Sequence, residues 1–234
     1  LAEHEPNCPK DTSPRTFGPG TRIASSKRMK IVLTGGPSAG KTTIAEALVR
    51  AYWDRVALAP ESASILFHGG FPRESGEESV VCQQRAIYYV QRELENSVSL
   101  AFPGRAMICD RGTLDGLAFW PRAEEEFFHG VETTKLQEIN RYDWVIHLET
   151  AAREAYQPSA IRRESYEEAR SIDRKLKTIW QAHPRWAVIP NNLNFSAKIN
   201  LTLLAVKMML DKEPASRIEA ILGPKSLLPP QALE

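Results

Sequence analysis

The run Gly35-Gly36-Pro37-Ser38-Ala39-Gly40-Lys41-Thr42 matches G-x-x-x-x-G-K-[ST] in full. Anion binding by backbone asks for this spacing. A strand must turn sharply into a helix while its N–H groups point inward, and glycine permits both the conformation and the close approach. The start of the following helix adds its positive dipole end and free N–H groups. Lys41 then reaches the β and γ phosphates of a nucleotide, the Thr42 hydroxyl can ligate Mg²⁺, and Thr43 next to it is a further nucleotide-binding candidate. By chance the pattern turns up in roughly one chain per hundred of this length. Here it also follows the apolar run Ile31-Val32-Leu33 and opens a segment with Ile44, Ala45, Leu48 and Val49 on one face. The expected ligand is Mg-ATP, with GTP left open.

Carboxylates and arginines supply the remaining chemistry. Asp110 closes Ala106-Met107-Ile108-Cys109, as the acid that holds Mg²⁺ or its waters should, and Arg111 follows at once; a strand-end turn residue is the plainer alternative for Asp110. Glu61 ends the run Arg55–Glu61 and is the expected partner or base for an acceptor hydroxyl, with a helix N-cap as the alternative. In a parallel sheet both would face the crevice at the carboxyl ends of the strands. Between Arg153 and Arg174 lies an arginine-rich stretch in which Arg163, Glu167, Arg170 and Arg174 share one helical face. Such a helix can close over the nucleotide as a lid, with Arg163 on the transferring phosphoryl group and Arg153 on the nucleotide; a solvated face stitched by Arg163 and Glu167 is the competing use. Gln83, Gln84 and Arg85 either read the acceptor or are surface polar residues. Asn191, in Pro190-Asn191-Asn192, stands where a purine base would rest or simply makes a turn. His68-Gly69-Gly70 belongs to a substrate loop or a turn. Asn140-Arg141-Tyr142-Asp143 imitates a guanine-reading motif but precedes its strand, which puts it at the wrong edge of the sheet. His68, His129, His147 and His183 lack zinc spacing.

These residues need a scaffold, and the pattern of apolar runs supplies one. Strands are expected at Ile31–Leu33, Arg55–Glu61, Arg105–Asp110, Trp144–Leu148 and Trp186–Ile189. Helices are expected over Lys41–Trp53, Glu78–Leu100, Val131–Asn140, Ala160–Gln181, Ser196–Leu210 and Pro214–Leu222. Alternation of this kind implies a five-stranded parallel sheet covered on both faces, a three-layer α/β/α sandwich. The domain is expected to span 29–212, after an extension over 1–28 that carries four prolines and no apolar periodicity, and before a short helix and tail over 213–234. Met29 is a candidate natural start.

Composition narrows the classes. With 30 Lys+Arg, 29 Asp+Glu and a net charge of +1, the 234-residue chain gives no reason to expect DNA binding. Leu201–Leu210, the longest mostly apolar stretch, is half a membrane span. Cys8, Cys82 and Cys109 show neither CxxC spacing nor an even count, which reads as a reduced, cytoplasmic protein.

Beyond the loop, the segments PES at 60–62, CDRG at 109–112, YDWVIHLETAAREAY, and the stretch from RRESYEEARSIDRKL through IWQAHPRWAVIPNNLNFSAKI are familiar. Over Met29–Ile199 the chain resembles the AAA-type P-loop domain that groups the ribosylnicotinamide kinase part of the NadR proteins with the TRPL translocation defect proteins. The resemblance implies a fold like that of nucleoside and nucleotide kinases, with phosphoryl-transfer roles for Glu61, Asp110 and Arg111. The translocation-defect branch is associated with GTP and phosphoinositide binding. Two functions are therefore expected to compete: a Mg-ATP-dependent kinase acting on a small, nucleoside- or nucleotide-like acceptor, and a nucleotide-hydrolysing switch that works through a protein or lipid partner.

Overall fold

The computed structural model describes residues 28–153, 156, 164–192 and 194–222. Five strands form one parallel sheet: β1 Lys30–Thr34, β2 Val56–Ala59, β3 Ala106–Asp110, β4 Trp144–Leu148 and β5 Trp186–Ile189, in the order β2-β3-β1-β4-β5. β1 lies at the centre, with Leu33 level with Asp110 on one side and Ile146 on the other. All carboxyl ends therefore share one edge.

Alternate residues of each strand face opposite layers, because the side-chain period of a strand is two. Ile31, Leu33, Ile108, Ile146 and Ile189 pack under α1 (Lys41–Ala51), α7 (Phe195–Leu210) and α8 (Ala215–Leu222). Val32, Met107, Cys109 and Val145 pack on the other face, against Leu176 and Trp180 of α6 (Tyr166–Trp180). Burial of both faces explains why the strands read as near-continuous apolar runs. The three-layer sandwich expected from the alternation is present. Ile218 and Leu222 of α8 are buried in the first of these layers, so the core runs to the end of α8.

Several boundaries differ from the sequence expectation. β2 stops at Ala59 because Pro60 has no N–H for the ladder, and Glu61 stands two residues past the strand at the N-cap of α2 (Ser62–His68), a helix missing from the sequence reading. The long helix is α3, Glu77–Ala101. The single helix expected over 131–140 is replaced by α4 (Glu124–Gly130) and α5 (Lys135–Ile139). Three glutamates in the first turn of α4 suit its dipole, and a Thr134–Gln137 capping box starts α5 afresh. The helix expected from 160 begins at Tyr166, where Ser165 and Glu168 form a capping box; residues 160–163 of that expectation lie outside the described residues. No helix among the described residues is long and apolar enough to cross a membrane.

Candidate active site

The phosphate loop leaves β1 through Gly35, at φ 136°, where a Cβ would stand 2.0 Å from the Leu148 carbonyl oxygen. No other residue fits there. The loop enters α1 through Gly40, also at positive φ, where a Cβ would stand 2.5 Å from the Phe195 ring. Lys41 is 7% exposed, and its ammonium donates to the carbonyls of Gly35 and Gly36, each at 2.9 Å. Burial, and then the neighbouring Arg111 charge, push its pKa down to about 8.

Two residues that sequence reasoning missed hold this loop from outside. Asp173 of α6 accepts from the Gly36 N–H at 3.2 Å, from the Thr150 N–H and hydroxyl at 3.1 and 3.2 Å, and faces His147 Nε2 at 3.1 Å. Burial works against its ionisation, but the His147 and Gly36 contacts hold it far below the usual carboxylate range. Lys198 of α7 donates to the carbonyls of Ala39 at 3.2 Å and Glu149 at 2.7 Å, and burial lowers its pKa to about 8. Asp173 sits among Glu, Arg and Lys in its helix, so nothing in the sequence separates it from a solvated charge.

Thr42 Oγ1 donates to Asp110 Oδ2 at 2.7 Å, while Asp110 Oδ1 is buried with no partner. Burial raises the Asp110 pKa. A carboxylate with one oxygen held and one orphaned calls for an unfilled partner. This pair fits Mg²⁺, which binds through one or two protein oxygens and otherwise through phosphates and water. No cluster of three His, Cys, Asp or Glu side chains able to hold a metal alone occurs among the described residues.

Arg111 follows Asp110 at φ 80°, a conformation that costs a residue with a side chain about 1–3 kcal/mol. The turn aims its guanidinium back along the sheet edge. Nε meets Glu61 Oε1 at 2.5 Å and Nη1 meets Asp115 Oδ2 at 3.1 Å. Asp115 is the third missed residue; its place four positions after Arg111 was the available signal. It also accepts from Thr34 Oγ1 and, at 2.7 Å, from the indole N–H of Trp180. Burial opposes the charge on Glu61, but Arg111 and then Lys41 hold its pKa down to about 2. Ser64 donates to the second Glu61 oxygen.

These groups border a cavity of about 560 Å³. Pro37–Thr42 line it together with Glu61, Phe67, Arg73, Gln84, Ile87, Arg111 and Phe119, and Arg111 Nη1 also donates to the Gly35 carbonyl at 3.4 Å. Of the remaining sequence candidates, Gln83 also lines the cavity and donates to the Glu74 carbonyl and Ser79, whereas the exposed Arg85 is not a lining residue. His68 Nδ1 lies 2.7 Å from the Ser64 carbonyl in its own helix. The structure does not bring Arg153 or Asn191 to the cavity. Arg153 pairs with Glu167 and stacks over Tyr166, and the Asn191 amide donates to the Thr150 carbonyl at 3.1 Å. Arg170 and Arg174 do not line the cavity either, and Arg163 lies outside the described residues. Asp143 accepts from the Lys30 N–H at the amino-terminal edge of the sheet, remote from the phosphate loop as expected.

A family profile described as an AAA domain matches residues 30–196. No curated protein matches the chain. Among solved structures, deoxyadenosine kinase from M. mycoides with bound dATP aligns at a TM-score of 0.51 and 15% identity, over 77% of this chain and 100% of that one. That likeness shows the fold: a parallel five-stranded sheet with flanking helices, built as in a P-loop nucleoside kinase.

Proposed function

Because the chain belongs to the AAA domain family, we propose that it is a Mg-ATP-dependent kinase that transfers the γ-phosphoryl group to a hydroxyl of a small organic acceptor. One observation carries the reading. The ionised Glu61 carboxylate, clamped by Arg111, lines the same cavity as the loop residues Pro37–Thr42.

The backbone amides of Gly36–Thr42 bind the phosphates, and Lys41 exchanges the Gly35 and Gly36 carbonyls for phosphate oxygens. Thr42 and Asp110 would hold Mg²⁺, which supplies charge neutralisation across the β and γ phosphates. Arg111 balances charge on the transferring group. Glu61 accepts the hydrogen bond of the acceptor hydroxyl and aims its oxygen at the γ phosphorus. As the new P–O bond forms, the bond to the β–γ bridging oxygen breaks, ADP leaves, and the hydroxyl proton passes to Glu61 and on to water. A carboxylate with a pKa near 2 is a weak base, which suits a loose transition state in which the proton departs late.

The test is ADP release from Mg-ATP, alone and with nucleosides, nucleoside monophosphates, nicotinamide riboside and simple sugars. Stimulation of at least tenfold by one class, with phosphate recovered on that acceptor, is the expected result. Slow release indifferent to every acceptor would instead mean a nucleotide-hydrolysing switch.

A further inference from the structure

The Arg111 guanidinium is held by two carboxylates, where charge balance needs one. Glu61, at the N-cap of α2, neutralises it through the contact to Nε at 2.5 Å. Asp115, in the 3₁₀ turn Thr113–Ala118, adds a second carboxylate 3.1 Å from Nη1. Taking a further carboxylate out of water is costly, and the loss is offset only where its oxygens are well hydrogen-bonded. Those of Asp115 are. Thr34 Oγ1, at the end of β1, lies 3.0 and 2.9 Å from Oδ1 and Oδ2, and the Trp180 indole N–H of α6 donates to Oδ1 at 2.7 Å. Three separate stretches of chain thus converge on one buried side chain.

The two carboxylates differ in access. Both border the cavity, but the Glu61 side chain is 22% exposed and that of Asp115 only 3%. An entering molecule reaches Glu61, whereas the oxygens of Asp115 are occupied by Thr34, Arg111 and Trp180. The effect of Asp115 is therefore geometric. A guanidinium held at one nitrogen can swing about that contact; held at Nε from one element and at Nη1 from another, its plane is fixed. Its hydrogen bonds to the described residues leave from Nε and Nη1, which keeps Nη2 for a phosphoryl oxygen.

We infer that Asp115 is a positioning residue for phosphoryl transfer: it fixes the plane of Arg111 so that Nη2 meets the transferring group, and Trp180 holds Asp115 to that task. The inference rests on the kinase reading for the reaction it serves. Asp115 touches neither nucleotide nor acceptor and acts only through Arg111.

The test is a double-mutant cycle on initial rates with Mg-ATP and the acceptor that takes phosphate, across wild type, Asp115→Asn, Arg111→Ala and the double variant. Asp115→Asn is expected to lower kcat about 30-fold with the KM for ATP changed less than about twofold, and to have almost no effect once Arg111→Ala is present. Trp180→Phe, which removes the N–H and keeps an aromatic ring, is expected to lower kcat about fivefold, again only where Arg111 is present. Equal losses in both backgrounds would mean that Asp115 acts alone or only supports the fold, and would overturn the inference. Side-chain nitrogen NMR of the nucleotide-free protein gives a readout without turnover. A guanidinium pinned at two nitrogens rotates slowly about Nε–Cζ, so Arg111 should show separate Nη signals in the wild type that coalesce in Asp115→Asn and Trp180→Phe. Coalesced signals in the wild type overturn the inference even if Asp115→Asn fails to fold. If ADP is released but no acceptor receives phosphate, the kinase reading fails by itself, and the same cycle run on hydrolysis decides the role of Asp115.

Discussion

One part of the cavity lining comes from one run of chain, Pro37–Thr42, which under the kinase reading binds phosphate through backbone amides. Another part is assembled from side chains on α2, α3 and the segment after β3, spread from Glu61 to Phe119. Their electrostatics differ as sharply. Lys41 is a desolvated cation whose pKa has fallen to about 8, so it gains by meeting phosphate. Glu61 is an anion already satisfied by Arg111, with its pKa near 2. Lys41 awaits a counter-charge, whereas Glu61 already has one.

Breaking the phosphate loop should have the largest effect. Lys41→Ala is expected to abolish stabilisation by Mg-ADP in a thermal melt and to lower phosphoryl transfer by about a thousandfold. Retained stabilisation would remove Lys41 from nucleotide binding. Glu61→Gln comes next, with a fall in kcat of about 10²-fold and a much smaller change in the Mg-ADP dissociation constant. If affinity fell equally, the two parts would be one unit and the contrast would be false.

Solution pH sharpens the same contrast. Lys41 is cationic below its pKa, so the association constant for Mg-nucleotide should be flat up to about pH 8. Above that it should fall up to tenfold per unit as the free protein loses the proton. Titration of Glu61 contributes nothing in that range. Nucleotide binding that stayed constant to pH 10 would mean that Lys41 keeps its charge in the free protein.

The smallest effect is on the stability of the empty protein. The folded-state pKa of Lys41 lies below its unfolded value of 10.5, so its charge opposes folding below about pH 8, and the penalty disappears as pH rises to 10.5. Lys41→Met should therefore be more stable than wild type at pH 7, by about 1–3 kcal/mol. That gap should close across this window in denaturant titrations. A less stable variant at pH 7 would show that the two carbonyl hydrogen bonds outweigh desolvation.

The same division explains what the sequence could reveal. The loop was legible because its glycines, lysine and threonine are consecutive residues at a fixed spacing. β1, β3, β4 and β5 were legible because burial on both faces leaves near-continuous apolar runs, broken in β4 only by His147. Asp110 was legible as the terminus of such a run; that its Oδ1 is buried without a partner was not. Glu61 was found by position but placed at a strand end, since Pro60 reads equally as the end of a strand or the approach to a helix. Asp115 and Asp173 depend on contacts between residues 34 and 115, 36 and 173, and 115 and 180, which no local pattern encodes. The arginine face of α6 was legible as a face, but its partners were not. Arg153, expected at the nucleotide, is instead paired with Glu167.

The hydrogen bond from Trp180 to Asp115 has an optical consequence. Trp180 is fully buried, and its indole N–H touches the carboxylate that anchors Arg111. Its ring edge closes on Gly112, where a Cβ would lie 2.7 Å from Cζ2. Any shift of Arg111 toward a bound phosphoryl group changes the field at this indole. Under the kinase reading, the difference in emission between the wild type, which has five tryptophans, and Trp180→Phe would report that shift without a label.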